Sequence, residues 1–165
     1  MGRMPVRGLF LDLDGTLADS MPVLERVYFR FLKGRGRAGS QGEFAALAEL
    51  PLADTVIRLK ELHHLPDPLQ ELLANYYELV DSVYQTAAQA APGATELLNA
   101  AQMRGITVVV VTSAWAEVAR GFLHNHGLWH QVHAVVGADA TRRGKPHPDP
   151  YQKARQTGFS RGPGR

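Results

Sequence analysis

The sequence predicts an α/β fold: a parallel sheet with flanking helices and one all-helical insertion after the first strand. Short apolar runs at 8–12, 106–111 and 132–136 predict the strands. The run at 106–111 consists of consecutive β-branched residues, which is typical of a strand covered on both faces. Helical patterns alternate with the last two runs, as in parallel α/β folds. Residues 19–90 contain only helical patterns, which predicts the insertion.

The first half of the chain predicts one strand and then a series of helices. Residues 8–12 are apolar with a polar tip, which suits a short buried strand. Asp19, Ser20 and Pro22 predict a helix start, because a short polar cap and an early proline suit the first turn. Asp19 has two interpretations, a helix cap or a loop element, and we favour the cap. Further helices are predicted at 43–50, 52–64 and 67–87.

The second half of the chain alternates between helices and strands. Pro92 and Gly93 end the helical block. Gly105 and Gly127 follow two of the predicted helices, as expected for C-terminal glycines. The predicted elements are helices at 94–104, 116–125 and 148–158 and strands at 106–111 and 132–136.

Composition bounds the class of protein. The 165 residues are 45% hydrophobic and 21% charged, which is typical of one globular domain or a core with a small insert. Apolar runs fall short of the ~18 residues that span a bilayer, so we expect no membrane partner. The chain has no cysteine, which excludes disulfides and thiolate metal sites. We therefore expect a cytoplasmic protein.

The basic residues do not form the pattern of a nucleic-acid-binding protein. The net charge is +2, and short basic patches lie at 35–37, 142–143 and 161–165. Nucleic-acid binding usually needs a concentrated basic face with interleaved aromatic residues. We expect no nucleic-acid partner.

Polar residues follow the predicted strands where each strand ends. These residues are Asp12 and Asp14, then Thr112 and Ser113, and finally Lys145. Because ligands bind at the carboxyl ends of parallel strands, we expect these side chains to converge. Carboxylates, hydroxyls and an ammonium group suit a phosphate that is handled with a divalent cation such as Mg²⁺.

These residue types predict a two-step transfer of a phosphoryl group. A carboxylate oxygen attacks phosphorus and forms an acyl phosphate. A second acid, two residues further on, points to the same side of an extended chain, so it can protonate the leaving oxygen and then accept a proton from water. Lys145 and Thr112 would hold the phosphoryl oxygens.

Three motifs resemble those of the haloacid dehalogenase superfamily, in the branch with phosphoglycolate phosphatase and β-phosphoglucomutase. DLDGTLADS at 12–20 is similar to its motif I, VVVVTSA at 108–114 to motif II, and GKPHPDPY at 144–151 to motif III. The resemblance implies a Rossmann-like core and a small helical cap. The core would comprise residues 1–18 and 92–165, and the cap 19–91.

The resemblance also implies residue roles. Asp12 would be the nucleophile and a metal ligand. Asp14 would be the general acid and base, and its backbone carbonyl would be a second Mg²⁺ ligand. Thr112 and Lys145 would bind phosphate, while Ser113 would contact it through its backbone or have no role. Asp14 favours phosphoryl chemistry over carbon–halogen cleavage. The implied activity is Mg²⁺-dependent hydrolysis of a small phosphorylated metabolite, such as phosphoglycolate, through an aspartyl phosphate.

Alternatives remain open at the sequence level. The family's fourth motif, an acidic strand end, is not found in the closing QTGFSRGPGR, and we interpret the chain as ending before the last core strands. A catalytically impaired protein or a β-phosphoglucomutase-like isomerase are therefore the alternatives to a phosphatase. Each site residue also has a simpler interpretation: Asp12 and Asp14 as turn caps, Thr112 as a β-former, and Lys145 as a surface lysine.

Overall fold

The structure is a computed structural model that describes residues 6–48 and 50–159. The chain divides into two compact units, an α/β unit of residues 1–19 and 89–165 and a helical unit of residues 20–88. Residues 160–165, which make up most of the closing segment in which the fourth motif was not found, lie outside the described residues. No helix in the described ranges is long and apolar enough to cross a membrane.

The α/β unit contains five strands and three helices among its described residues. The strands are β1 (Gly8–Leu11), β2 (Ala18–Asp19), β3 (Gln89–Ala90), β4 (Thr107–Val111) and β5 (Ala134–Val136). Helices are numbered in chain order, so α1 to α4 belong to the helical unit. The helices are α5 (Ala94–Met103), α6 (Ala116–Asn125) and α7 (Asp149–Phe159). Short 3-10 turns lie at Trp129–Gln131 and Ala138–Ala140.

A three-stranded parallel sheet forms the centre of this unit and confirms the predicted α/β class. The strand order is β1-β4-β5, with Gly8 opposite Thr107 and Val109 opposite Ala134. The central strand β4 is the β-branched run, and its four valines are at most 1% exposed. Helix α7 packs on β4 and β5, α5 on β4, and α6 on β5. The parallel strands therefore direct their carboxyl ends to one edge of the sheet.

A two-stranded antiparallel ribbon was not predicted from the sequence. In β2 and β3, Ala18 pairs with Ala90 and Asp19 with Gln89. The prediction of Asp19 as a helix cap is therefore wrong, because α1 (Met21–Lys33) begins two residues later. Pairing of two residues about 70 positions apart has no local periodicity, so only the folded chain reveals it.

The helical unit contains α1 and three further helices and confirms the predicted helical insertion. These are α2 (Gln41–Leu47), α3 (Leu52–Leu62) and α4 (Leu69–Thr86). Helix α4 packs on α1 and α3. The rings of Phe31 and Tyr76 meet edge to face, with centroids 5.0 Å apart. This geometry is favourable for aromatic pairs, and both residues are almost fully buried.

A hydrogen-bonded cluster joins three helices of this unit. The Tyr28 hydroxyl donates to Glu43 Oε1 at 2.7 Å and accepts from the Ser40 N–H at 2.9 Å. His63 Nε2 lies 2.7 Å from the same carboxylate oxygen. Burial and the hydrogen bond to Glu43 raise the pKa of Tyr28 to about 12. Burial alone would raise the pKa of Glu43, but the hydrogen bonds from His63 and Tyr28 outweigh it and lower that pKa.

We expect Glu43→Gln to reduce the dependence of folding stability on pH. A lowered carboxylate pKa stabilises the fold fully above its unfolded value of 4.5, and this stabilisation is lost as pH falls through the lower folded value. At neutral pH the substitution should cost about 1–2 kcal/mol, because a charge-assisted hydrogen-bond acceptor becomes neutral. Urea unfolding at neutral pH and at about pH 3.5 measures both effects.

Glu71→Gln is the matched control, because Glu71 is exposed in the first turn of α4. It should leave the acid-side loss of stability as in the wild-type chain. If the Glu43→Gln chain loses as much stability on acidification as the wild type does, Glu43 is not the group responsible.

Candidate functional site

Two partly exposed aspartates follow β1 and flank a buried leucine. Leu13 is fully buried, whereas Asp12 and Asp14 on either side of it are partly exposed. Successive side chains of an extended strand point to opposite faces, so residues two apart point the same way. A buried Leu13 between two partly exposed aspartates is the burial pattern that such alternation produces.

A tight turn after Asp14 directs the chain back toward β2. The Leu13 carbonyl accepts hydrogen bonds from the N–H groups of Leu17 at 2.9 Å and Ala18 at 2.8 Å. Gly15 has a φ of 69°, in the left-handed region that favours glycine, and its N–H donates to the Ala18 carbonyl. The glycine at position 15 therefore allows the turn that follows Asp14 to form.

Asp12 and Lys145 form an ion pair at the carboxyl end of the sheet. Lys145 Nζ lies 2.6 Å from Asp12 Oδ2, although 133 residues separate them in sequence. The ammonium also donates to the Val111 carbonyl at 3.3 Å, and the Leu13 N–H donates to Asp12 Oδ1 at 2.8 Å. The Lys145 side chain is 17% exposed and that of Asp12 41%. The carboxylate is thus held by two donors and remains open to solvent.

The loop that carries Lys145 is itself held by hydrogen bonds. The His147 N–H donates to the Gly144 carbonyl at 2.9 Å, and the Asp149 N–H donates to His147 Nδ1 at 3.2 Å. Arg143 Nε forms an ion pair with Asp149 Oδ2 at 3.0 Å. These contacts fix the chain between Arg143 and the start of α7, so the lysine stem leaves from a defined backbone.

Thr112 lies one residue beyond β4 and is buried. Its N–H donates to the Val136 carbonyl at 3.0 Å, and its Oγ1 accepts from the Ala114 N–H at 3.0 Å. Because the oxygen already accepts a hydrogen bond, the hydroxyl hydrogen can be donated to an anion. Ser113 is half-buried, and in the described part of the chain its side chain forms none of the bonds of this cluster.

The geometry brings together part of the predicted site. Asp12 and Lys145 are in direct contact, and Thr112 follows Val111, whose carbonyl accepts a hydrogen bond from Lys145. Asp14 lies two residues beyond Asp12 and, like it, is partly exposed. These three segments come from the ends of β1 and β4 and from the loop before α7, which is the arrangement that the strand-end argument predicts.

Sequence reasoning missed Asp139, which follows β5. Its Oδ1 accepts a hydrogen bond from the Ala116 N–H at 2.9 Å, at the first residue of α6. A signal was present in the sequence. Trp115, which precedes α6, has no side-chain oxygen to cap the helix, so an acceptor from another segment can take this role, although the sequence does not say which one.

The Asp12 carboxylate and the Asp14 backbone carbonyl are oxygen donors of the kind that suits a magnesium ion. Mg²⁺ binds oxygen ligands, usually through one or two carboxylates with several waters. Each oxygen of the partly exposed Asp12 carboxylate accepts one hydrogen bond and has a further lone pair available. Within residues 6–48 and 50–159, no three His, Cys, Asp or Glu side chains converge to hold a metal. The Asp12 carboxylate therefore has the oxygen chemistry that Mg²⁺ prefers.

Comparisons with known proteins agree with this arrangement. A family model described as haloacid dehalogenase-like hydrolase matches residues 9–160. Hexitol phosphatase A of Escherichia coli (strain K12) is 32% identical over 151 residues, and the match covers 90% of this chain and 67% of that protein. Phosphoglycolate phosphatase of Vibrio vulnificus (strain YJ016) is 27% identical, with 90% of this chain and 68% of that protein covered.

A solved structure shows the same fold. CbbY from Rhodobacter sphaeroides, determined in complex with phosphate, superposes with a TM-score of 0.79 at 19% identity. The alignment covers 93% of this chain and 72% of that chain. At this identity the similarity concerns the fold alone, and it confirms the predicted α/β architecture with a helical insertion.

Proposed function

Because the chain belongs to the haloacid dehalogenase-like hydrolase family, we propose that it is a magnesium-dependent phosphatase for a small phosphorylated metabolite. The ion pair between Asp12 and Lys145 carries this proposal. It joins a nucleophile of the right type to a cation that can bind a phosphoryl oxygen, at the strand ends where α/β proteins bind ligands. The curated relatives named above are phosphatases, which supports hydrolysis of a phosphate ester.

In the first step Asp12 attacks the phosphorus atom. The Leu13 N–H and Lys145 Nζ hold its two carboxylate oxygens, so one orientation is favoured before substrate arrives. A bond forms between the carboxylate oxygen and phosphorus, and the bond between phosphorus and the ester oxygen breaks. Asp14 donates a proton to the departing oxygen, which leaves an acyl phosphate on Asp12.

In the second step water hydrolyses the acyl phosphate. Asp14, now ionised, accepts a proton from the attacking water. The new bond joins the water oxygen to phosphorus, and the bond from phosphorus to the Asp12 oxygen breaks. Phosphate leaves, and both aspartates return to their starting protonation states.

Lys145 and Thr112 bind the phosphoryl oxygens in this proposal. The ammonium already faces the Asp12 carboxylate, so an anionic phosphoryl group that approaches Asp12 also approaches a cation. The Thr112 hydroxyl, which accepts from the Ala114 N–H, donates its hydrogen to another phosphoryl oxygen. Hydrogen-bond donors that are already in position before the reaction stabilise the negative charge that develops in the transition state. Ser113 contacts the group only through its backbone.

The Asp12 carboxylate and the Asp14 backbone carbonyl would hold the magnesium ion, which leaves the Asp14 carboxyl for proton transfer. When bound, the ion reduces the electrostatic repulsion between the anionic nucleophile and the anionic phosphate ester. We also propose that the helical unit is the cap domain and the α/β unit the catalytic domain. Phosphoglycolate and hexitol phosphates are the substrates to try first, since relatives that hydrolyse compounds of these names match most of the chain.

We expect the purified chain to hydrolyse p-nitrophenyl phosphate and at least one of 2-phosphoglycolate or a hexitol phosphate in the presence of Mg²⁺. Release of inorganic phosphate measures the reaction. Removal of the metal with a chelator should abolish turnover, and added Mg²⁺ should restore it, because the ion neutralises the approaching charges. Turnover that survives chelation would contradict the magnesium requirement, and a folded chain with no turnover on any ester would contradict the phosphatase proposal.

A further inference from the structure

We propose that Asp139 is a positioning residue for the phosphate-binding loop, which we define as residues 112–115. The inference rests on the proposed function, because it assumes that phosphate binds at Thr112. Asp139 itself touches no substrate. It holds the end of the loop where α6 begins, and through the loop it sets the place of the Thr112 hydroxyl.

The first observation is a helix cap that comes from a distant segment. Asp139 Oδ1 accepts from the Ala116 N–H at 2.9 Å, across 23 residues of sequence. The first N–H groups of a helix lack partners within the helix, and a nearby side-chain oxygen usually satisfies one of them. Trp115, in the capping position of α6, offers no such oxygen. Asp139 therefore satisfies a donor that the helix's own sequence leaves open.

Two further hydrogen bonds tie the same segments together. The Ala138 N–H donates to the Ala114 carbonyl at 2.9 Å, and the Thr112 N–H donates to the Val136 carbonyl at 3.0 Å. The phosphate-binding loop is thus held at its start by the last residue of β5, in its middle by Ala138, and just beyond its end by Asp139. Within the loop, the Ala114 N–H donates to Thr112 Oγ1 at 3.0 Å. The hydroxyl position therefore depends on where Ala114 is held.

Gly137 shows how closely these segments approach. A Cβ atom at this position would lie 2.3 Å from the Ala116 nitrogen and 2.5 Å from Asp139 Oδ1. Such contacts are too short for any side chain, so glycine is required for space at this point. The glycine at position 137 therefore leaves the space in which the hydrogen bond between Asp139 and Ala116 forms.

The charge of Asp139 separates a positioning role from an electrostatic one. A carboxylate near an anion-binding loop repels phosphate, so its charge does not favour binding. If Asp139 acts by accepting a hydrogen bond, asparagine preserves its role, since an amide oxygen also caps helices well. Alanine removes the acceptor and frees the end of the loop. Phosphate affinity should therefore follow the acceptor and not the charge.

The test measures inorganic phosphate binding to the full chain by calorimetry, with amide hydrogen exchange at residues 113–116. We expect Asp139→Ala to weaken phosphate binding about 10-fold and to speed exchange in the loop, whereas Asp139→Asn stays within about twofold of the wild type. Glu117→Ala is the matched control. It removes an exposed carboxylate from the first turn of the same helix but not the link to the loop.

The outcomes distinguish this inference from the proposed function. A wild-type chain that binds no phosphate overturns the proposed function and the inference with it. If the wild type binds phosphate and Asp139→Ala binds it equally well, only the inference is overturned. Asp139→Asn binding as weakly as Asp139→Ala, or Glu117→Ala causing the same loss, also overturns it. If amide hydrogen exchange at residues 113–116 is the same in Asp139→Ala as in the wild type, the inference is overturned whether or not a ligand binds.

Discussion

Replacing Asp12 with asparagine is expected to lower the rate of p-nitrophenyl phosphate hydrolysis at least about 10³-fold. The amide has the size of the carboxylate, and its oxygen can still accept from the Leu13 N–H, which donates to Asp12 Oδ1 at 2.8 Å in the wild-type chain. It has no anionic oxygen with which to attack phosphorus, so the covalent step is lost. Phosphate release at saturating substrate measures the change in kcat.

The matched control for this substitution is Glu96→Gln, which neutralises an exposed acid in the first turn of α5 in the same unit. It should leave kcat within about twofold of the wild type, as most surface substitutions do. Inorganic phosphate should still bind to Asp12→Asn, because Lys145 loses its anionic partner and becomes free for another. A variant that keeps a tenth or more of the wild-type rate would show that Asp12 is not the nucleophile.

Replacing Lys145 with methionine is expected to lower kcat/KM about 10²–10³-fold, the usual cost of removing one preorganised donor to developing charge. Methionine keeps most of the length of the apolar stem but removes the ammonium that lies 2.6 Å from Asp12 Oδ2. The phosphoryl group then loses a cation, and Asp12 loses its ion partner. Initial rates over a range of substrate concentrations measure the effect.

Two further lysine variants define what Lys145 contributes. Lys153→Met removes an exposed lysine on α7 and should change kcat/KM by less than about twofold. Lys145→Arg keeps the charge but replaces a compact ammonium with a planar fork, so we expect an intermediate rate. If Lys145→Met and Lys153→Met lose equal activity, the ion pair with Asp12 is not part of the mechanism.

The sequence alone predicts the parts of the fold that have strong local patterns. The consecutive β-branched residues of β4 predict a strand covered on both faces, and in the structure this strand is buried and lies between β1 and β5. The rule that ligands bind at strand ends leads to Asp12 and Lys145, although 133 residues separate them. The carboxyl ends of parallel strands lie at the same edge of the sheet, so residues at those ends are predicted to be close even when they are far apart in sequence.

Features that depend on contacts between distant segments could not be predicted. In the ribbon that pairs Asp19 with Gln89, each strand is only two residues long, which is too short for an alternating pattern to be visible in the sequence. Asp139 caps a helix that begins 23 residues earlier, and no spacing rule links the two positions. The hydrogen bonds of Tyr28, Glu43 and His63 depend on how three helices pack. In each case the partner is set by tertiary structure and not by the neighbouring sequence.

The most direct test of the account is the mass of the Asp12-containing peptide after rapid acid quenching during turnover. An acyl phosphate survives acid briefly, and it adds the mass of one phosphoryl group to the residue that carries it. We predict this addition on Asp12 in the wild-type chain, lost on treatment with alkali, and no addition in Asp12→Asn. Turnover without a phosphorylated peptide, or a phosphoryl group found on Asp14 instead, would contradict the assignment of Asp12 as the nucleophile.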